Sequence, residues 1–159
     1  MTSQFRFTGE EGHSCAIRTA RSGDCERLAL LATELGYPSN AEQIRRRLSE
    51  MTNREGYAIY VAEDAKQQVI GWIGVYVFRA LEIDRLAEIS GLVVDQNARC
   101  RGVGAELLLA AEKWARTNGC PRISVRSNVL RERAHQFYVR HSYEFAKAQK
   151  TFIKRLDTA

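Results

Sequence analysis

Six residues, Arg99 to Gly104 (RCRGVG), set two arginines and two glycines between the strand-like run AEISGLVVD (Ala87–Asp95) and a long apolar-periodic segment. A strand-to-helix junction of this make-up can hold an anion. The first N–H groups of a helix lack intrahelical partners and carry a partial positive charge, and phosphate is their usual guest. Gly102 and Gly104 remove Cβ atoms that would block close approach, and Arg99 and Arg101 add full charges at the rim. The same glycine pair also suits a helix start that only packs tightly on its strand, and spacing does not separate the two readings. Two phosphate motifs are excluded. A P-loop needs GxxxxGK followed by Ser or Thr, which is absent. A dinucleotide fingerprint needs a third glycine where Leu107 stands, and it belongs near the first strand rather than late in the chain.

The elements that must hold this junction follow from periodicity and punctuation. IRTA (Ile17–Ala20) reads as a short strand. GDCERLALLATELGYP reads as a helix with Leu28, Leu31 and Leu35 on one face, Gly36 at its end and Pro38 beyond. SNAE (Ser39–Glu42) has capping-box spacing ahead of a second helix carrying Ile44, Leu48 and Met51. Tyr57–Asp64 and Val69–Phe78 read as paired strands, and Ala87–Asp95 as another. A helix of about fifteen residues starts at Gly102, with Leu107, Ala111 and Trp114 in one stripe, and stops at Gly119 and Pro121. Arg122–Ser127 is a strand and LRERAHQFYVRH a helix. YEFAKAQKTFIKRL is expected to close the chain as two short strands around Ala148 and Gln149. This order predicts a mixed α/β (α+β) sheet covered on both faces.

The 159 residues fit one domain with a full core, and 45% hydrophobic and 27% charged residues suit an ordinary globular chain. No apolar run reaches the roughly 18 residues of a membrane span. Residues 1–14 read as a polar tail without an apolar signal core, which predicts a cytoplasmic protein, with 15–159 as its single domain. The cysteines, Cys15, Cys25, Cys100 and Cys120, show no CxxC spacing, and the histidines, His13, His135 and His141, have no ligand partner at sensible spacing, so no metal site is expected. Cys100 stands out for its flanking arginines. A net charge of +5 suits nucleic acid, an anionic surface or a polyanionic small ligand. Arg45–Arg47 reads as a solvated helix face, and no nucleic-acid-binding motif accompanies it.

RCRGVG is similar to the Q/R-x-x-G-x-G/A motif of the GNAT superfamily of N-acetyltransferases. GLVVD before it resembles that family's central strand. NVLRERAHQFYVRHSYEF (Asn128–Phe145) resembles its N…A-x-x-F-Y-x-x-x-G-F segment. The likeness covers about residues 16 to 156, and two motifs in the right order are more specific than either alone. Ser142 stands where the family usually has glycine, and no proline follows Asp95.

The resemblance implies a GNAT-like central, mostly antiparallel mixed sheet flanked by helices, with a splayed central strand pair. It implies acetyl-CoA as cosubstrate and direct acetyl transfer to a primary amine of a small molecule or peptide. Carried over, the amides of Arg99, Cys100, Arg101, Gly102, Val103 and Gly104 bind the pyrophosphate. The edge of Leu92, Val93 and Val94 pairs with the pantetheine arm, and Asn128 hydrogen-bonds it. Tyr138 matches the family's general acid, which protonates the departing thiolate; read by itself, it equally packs beside Phe137. Glu88, sharing strand parity with Ser90, Leu92 and Val94, is the candidate base, and a salt-bridged edge glutamate is the other reading. Tyr37, Glu34, Glu82 and Asp84 fall where the family builds its acceptor pocket, and they spell no acceptor. A protein N-terminal or lysine acetyltransferase and a non-catalytic acetyl-CoA-binding regulator stay open. No nucleic acid or membrane partner is expected, and the family's habit of pairing through C-terminal strands implies a homodimer.

Overall fold

The computed structural model describes residues 5–6 and 15–156. The expected polar tail, His13 included, lies outside them except for Phe5–Arg6 (β1), which pairs antiparallel with Ala16–Thr19 (β2). The chain divides into two compact units, Met1–Arg126 and Ser127–Ala159.

In the first unit β2 is followed by a 3-10 turn at Ser22–Asp24, then by helices α1 (Cys25–Glu34) and α2 (Ala41–Thr52). Strands β3 (Tyr57–Glu63), β4 (Val69–Ala80) and β5 (Ile83–Val94) come next, then helix α3 (Val103–Thr117) and strand β6 (Ile123–Val125). The six strands lie side by side in chain order. All neighbours are antiparallel except β5 and β6, which α3 joins as a parallel pair. This is the mixed, mostly antiparallel sheet expected. β5 begins earlier than the sequence suggested. Its ladder with β4 runs out to Ala80↔Ile83, leaving Leu81 and Glu82 as a tight turn in place of the longer connection between Phe78 and Ala87 that the sequence predicts.

Helices α1 and α2 pack on one face of the sheet, through Leu28, Leu31 and Leu48 against Val61 and Val93. α3 covers the other with Leu107, Leu108 and Ala111, all at most 1% exposed. The α2 capping box sits one residue later than read: Asn40 Oδ1 accepts from Gln43 N–H, and Gln43 Oε1 accepts from Asn40 N–H. Ser39 is otherwise engaged, donating to the Tyr37 carbonyl and accepting from Arg47.

Charged ties fix the start of α1. Arg18 is 6% exposed and reaches Asp24 through two bonds of 2.8 Å and Glu63 through one of 2.5 Å. Burial alone would raise the Asp24 carboxyl. The Arg18 guanidinium and the Arg21 N–H outweigh it and hold Asp24 below the usual carboxylate range. Arg27 of α1 donates to the Val69 carbonyl and pairs with Asp95 at the end of β5.

The second unit contains helix α4 (Glu132–Arg140). Residues 143–156 take no regular secondary structure, so the two closing strands are not formed there. Local alternation can make a segment fit for a strand, but only a hydrogen-bonded neighbour makes it one.

Candidate functional site

The centre of the site is an irregularity in β5. Gly74 pairs with Gly91 but Val75 pairs with Ile89, so Ser90 is an extra residue, a β-bulge. The bulge resets the alternation. Trp72, Gly74 and Tyr76 share one face of β4, and their partners Val93, Gly91 and Glu88 share it on β5. Glu88 therefore lies on the α1–α2 face with Ser90, while Leu92 and Val94 fall on the α3 face, which corrects the common parity read from sequence. A one-residue insertion inverts every later side chain.

The bulge also marks where β5 parts from β6. Their parallel ladder covers Ala87↔Ile123 to Ile89↔Val125 and stops. Ser90 to Val94 continue without a ladder partner on that side. The chain then passes through a 3-10 turn at Gln96–Ala98 into the cradle loop.

In that loop Cys100 (φ 61°) and Gly102 (φ 76°) both take the left-handed conformation, on either side of Arg101. Alternation of this kind gathers backbone N–H groups into a concave anion site. Gly102 is the N-cap of α3 and offers no side chain to it, and Glu106 N–H is the first taken up within the helix, by Gly102 O at 3.1 Å. The N–H groups of Val103, Gly104 and Ala105 precede it. A Cβ on Gly102 would meet no protein atom within 4 Å. Glycine is thus required for its backbone angle rather than for room within the chain. Arg101 is exposed. Arg99 turns back, donating Nε to the Val94 carbonyl at 3.0 Å and pairing with Glu34 at 3.5 Å.

On the α1–α2 face the bulge opens into a cavity of about 440 Å³. Its floor is Trp72, Gly74 and Ser90, its walls are apolar side chains of α1, α2 and β3, and its rim holds Tyr37, Ser39 and Arg47. A Cβ on Gly91 would lie 2.8 Å from Trp72 Cη2, and one on Gly74 would lie 2.4 Å from Ser90 Oγ. The paired glycines leave the indole room to lie on the sheet. Its buried Nε1–H has no partner among the described residues. Sequence reasoning missed Trp72 and Ser90, and the Gly74–Gly91 pair was the signal available. Of the acceptor candidates, Tyr37 lines the cavity, Glu34 is engaged by Arg99, and Glu82 and Asp84 sit exposed at the β4–β5 turn.

Glu88, 9% exposed, accepts a 2.5 Å hydrogen bond from the Tyr76 hydroxyl and pairs with Arg126 at 2.7 Å. Tyr57 stacks on Tyr76 at 5.2 Å. Burial, and then the bond to Glu88, push the Tyr76 phenol up to about 12. Tyr76 and Arg126 were not among the residues singled out from sequence.

In the second unit Asn128 is exposed, and its side chain accepts from Leu130 N–H at 2.9 Å while its carbonyl meets His135 Nε2 at 3.0 Å. Tyr138 is half-buried between Phe137 (5.3 Å) and Tyr143 (5.5 Å). Burial pushes its phenol up to about 12, against an opposing pull from Arg131. Ser142 takes φ 64° after α4, with Tyr143 N–H bonded to the Tyr138 carbonyl and Ser142 N–H to that of Val139. The serine thus adopts the left-handed turn for which glycine is the usual choice. Among the described residues no cluster of three or more His, Cys, Asp or Glu could hold a metal, and no helix is long and apolar enough to cross a membrane.

A model of the acetyltransferase (GNAT) family matches residues 24–143. An aminoalkylphosphonate N-acetyltransferase of Salmonella typhimurium is 27% identical over 82% of this chain and 85% of its own. Among solved structures, an aminoglycoside N-acetyltransferase in complex with CoA superposes with a TM-score of 0.80 at 18% identity, covering 94% of this chain and all of that one. A transcriptional regulator from Bacillus halodurans gives 0.79 at 21% identity, over 88% of this chain and 99% of its own. These two structural likenesses concern the fold.

Proposed function

The chain belongs to the acetyltransferase (GNAT) family and is an N-acetyltransferase, and on that premise we propose that it passes an acetyl group from acetyl-CoA directly to the primary amine of a small molecule. One observation carries this reading. β5 continues for five residues, Ser90 to Val94, past the end of its ladder with β6, and then leads into a helix start that no side chain caps. That donor set fits CoA, because an extended edge can pair with the amide-bearing pantetheine arm and uncapped N–H groups suit a pyrophosphate. The name of a relative, an aminoalkylphosphonate N-acetyltransferase, supports a small-molecule amine over a protein.

In this reading the amides of Arg99 to Gly104 hold the pyrophosphate, with Arg101 adding charge. The edge of Leu92, Val93 and Val94 orients the pantetheine, and Asn128 hydrogen-bonds it. When bound, acetyl-CoA supplies an acyl group on a thiolate that leaves readily. The exposed amides of β5 are donors for the carbonyl oxygen, where such donors act on developing charge. Glu88 receives the proton of the substrate ammonium, directly or through a water, and Tyr76 and Arg126 fix its carboxylate for that task. Tyr138, held protonated, gives its phenolic proton to the departing sulfur. Four unpaired cysteines support a reducing, cytoplasmic setting. The exposed Phe152, Ile153 and Leu156 support a homodimer paired through the C-terminal segment.

Calorimetric titration with acetyl-CoA, beside free-thiol release over a panel of amines, tests the reading. Binding that Gly102→Val weakens, and thiol release that depends on an amine, are expected. Tyr138→Phe should lower the turnover number more than acetyl-CoA affinity, by about tenfold to a hundredfold, at or below the low end for a general acid because a thiolate leaves readily. Absence of both acetyl-CoA binding and thiol release would end the reading.

A further inference from the structure

We propose that the cavity between α1, α2 and the sheet selects an amine bearing an apolar body with one anionic group at its far end, and that Arg47 is the partner of that anion. The inference rests on the acetyl-transfer reading and narrows its acceptor. The two ends of the cavity are chemically distinct. The floor at the β5 bulge offers Ser90 and the unpartnered indole N–H of Trp72, and the rim offers Tyr37, Ser39 and Arg47. Between them the walls are aliphatic. The volume of about 440 Å³ lies in the range that holds a small ligand.

Among the described residues no aspartate or glutamate lines this space. A polycation would bring additional ammonium groups into an apolar chamber with no carboxylate to receive them, beside a guanidinium of the same sign. Such burial is strongly unfavourable. Arg47 has the opposite need. Arg18, Arg27, Arg99 and Arg126 each pair with a carboxylate. Arg47 has only the neutral Ser39 hydroxyl, at 2.9 Å, and no carboxylate within 4 Å among the described residues. Its planar fork keeps several N–H donors for a carboxylate or phosphonate, a geometry it recognises bidentately. An amine directed to the bulge and an anion held at the rim must be joined by an apolar spacer, as in an ω-amino acid.

The test uses the full chain with three probes of one length: 8-aminooctanoate, octylamine and 1,8-diaminooctane. With acetyl-CoA saturating, kcat/KM should fall in that order. Arg47→Gln, an exposed position on α2, should raise KM for 8-aminooctanoate about tenfold to a hundredfold, the scale of a charged hydrogen bond. It should leave octylamine unchanged, and Arg47→Lys should recover part of the loss. Octanoate, which has no amine, gives a readout independent of turnover: calorimetry should show it binding the native chain and at least tenfold more weakly to Arg47→Gln. A preference for the diamine, an equal loss on both monoamines, or octanoate affinity unmoved by Arg47→Gln would each overturn the inference. Octanoate binding that depends on Arg47, in a chain that neither binds acetyl-CoA nor releases thiol, would keep the pocket's anion site and remove the acetyl-transfer reading.

Discussion

On the α3 side of the sheet, Ile73, Val75, Ala87 and Ile89 share a closed core with Leu107, Leu108 and Ala111, all at most 2% exposed. On the other side the same two central strands, β4 and β5, present Gly74, Ser90 and Trp72 to a cavity of about 440 Å³. The bulge at Ser90 lets one strand serve both. It carries Ile89 into the closed core and turns both Ser90 and Gly91 toward the open one. The open face keeps its shape by a different means. Instead of filling the space, it fixes α1 at its first turns with ion pairs, the buried Arg18 with Asp24 and Glu63, and the half-buried Arg27 with Asp95. The contrast separates two demands on one sheet: apolar packing for stability, and a propped hollow for a ligand.

Substitutions that act on one face only would break this division or sharpen it. The largest effect is expected at Leu107→Ala, which leaves a cavity in the closed core. It should cost about 3–5 kcal/mol in denaturant unfolding and leave acetyl-CoA affinity of the folded protein unchanged. An equal loss of affinity would show that the faces are coupled. Asp24→Asn strips the buried Arg18 of its main partner and should cost about 3 kcal/mol. The depressed folded-state carboxyl of Asp24 contributes stability above its unfolded pKa and loses it as pH falls through the folded value. The native chain should therefore lose stability more steeply than Asp24→Asn once pH drops below the usual carboxylate range, as urea midpoints measured across acid pH would report.

A smaller effect belongs to Gly91→Ala. The added Cβ drives the Trp72 ring from its seat toward the hollow, for about 1–2 kcal/mol. Octanoate binding should weaken and the emission of Trp72, read in a Trp114→Phe background, should shift. Unchanged emission would mean the indole is not packed on Gly91. The smallest effect lies outside both faces. α1 and α3 end in left-handed glycines, Gly36 and Gly119, but α4 ends in Ser142. Ser142→Gly should stabilise by about 0.5–1 kcal/mol, seen as a higher unfolding midpoint with kinetics unchanged.

Much of the framework was legible because it is written in short-range terms. Leu107, Ala111 and Trp114 at helical spacing, stopped by Gly119, located α3 almost to the residue. The glycines and arginines of residues 99–104 mark the strand-to-helix junction by composition alone. Other features were not, for reasons that can be named. The bulge at Ser90 has no composition of its own, since it is a mismatch between two strands. The Tyr76–Glu88–Arg126 cluster joins β4, β5 and the residue that follows β6. The residues 143–156 alternate like strands, yet alternation supplies no partner.

The sequence by itself determined the run of elements from β2 to α4, the two helix-end glycines, the glycine-led helix start after β5 and the family to which these point, because helix periods, caps and left-handed turns depend on neighbours within a few residues. Only the tertiary structure decided which face Glu88 occupies, that Arg99 is taken by Glu34 while Arg47 has no carboxylate among the described residues, and that two paired glycines make a seat for Trp72. Those outcomes depend on register between strands and on helix placement over a sheet, which bring together groups far apart in the chain.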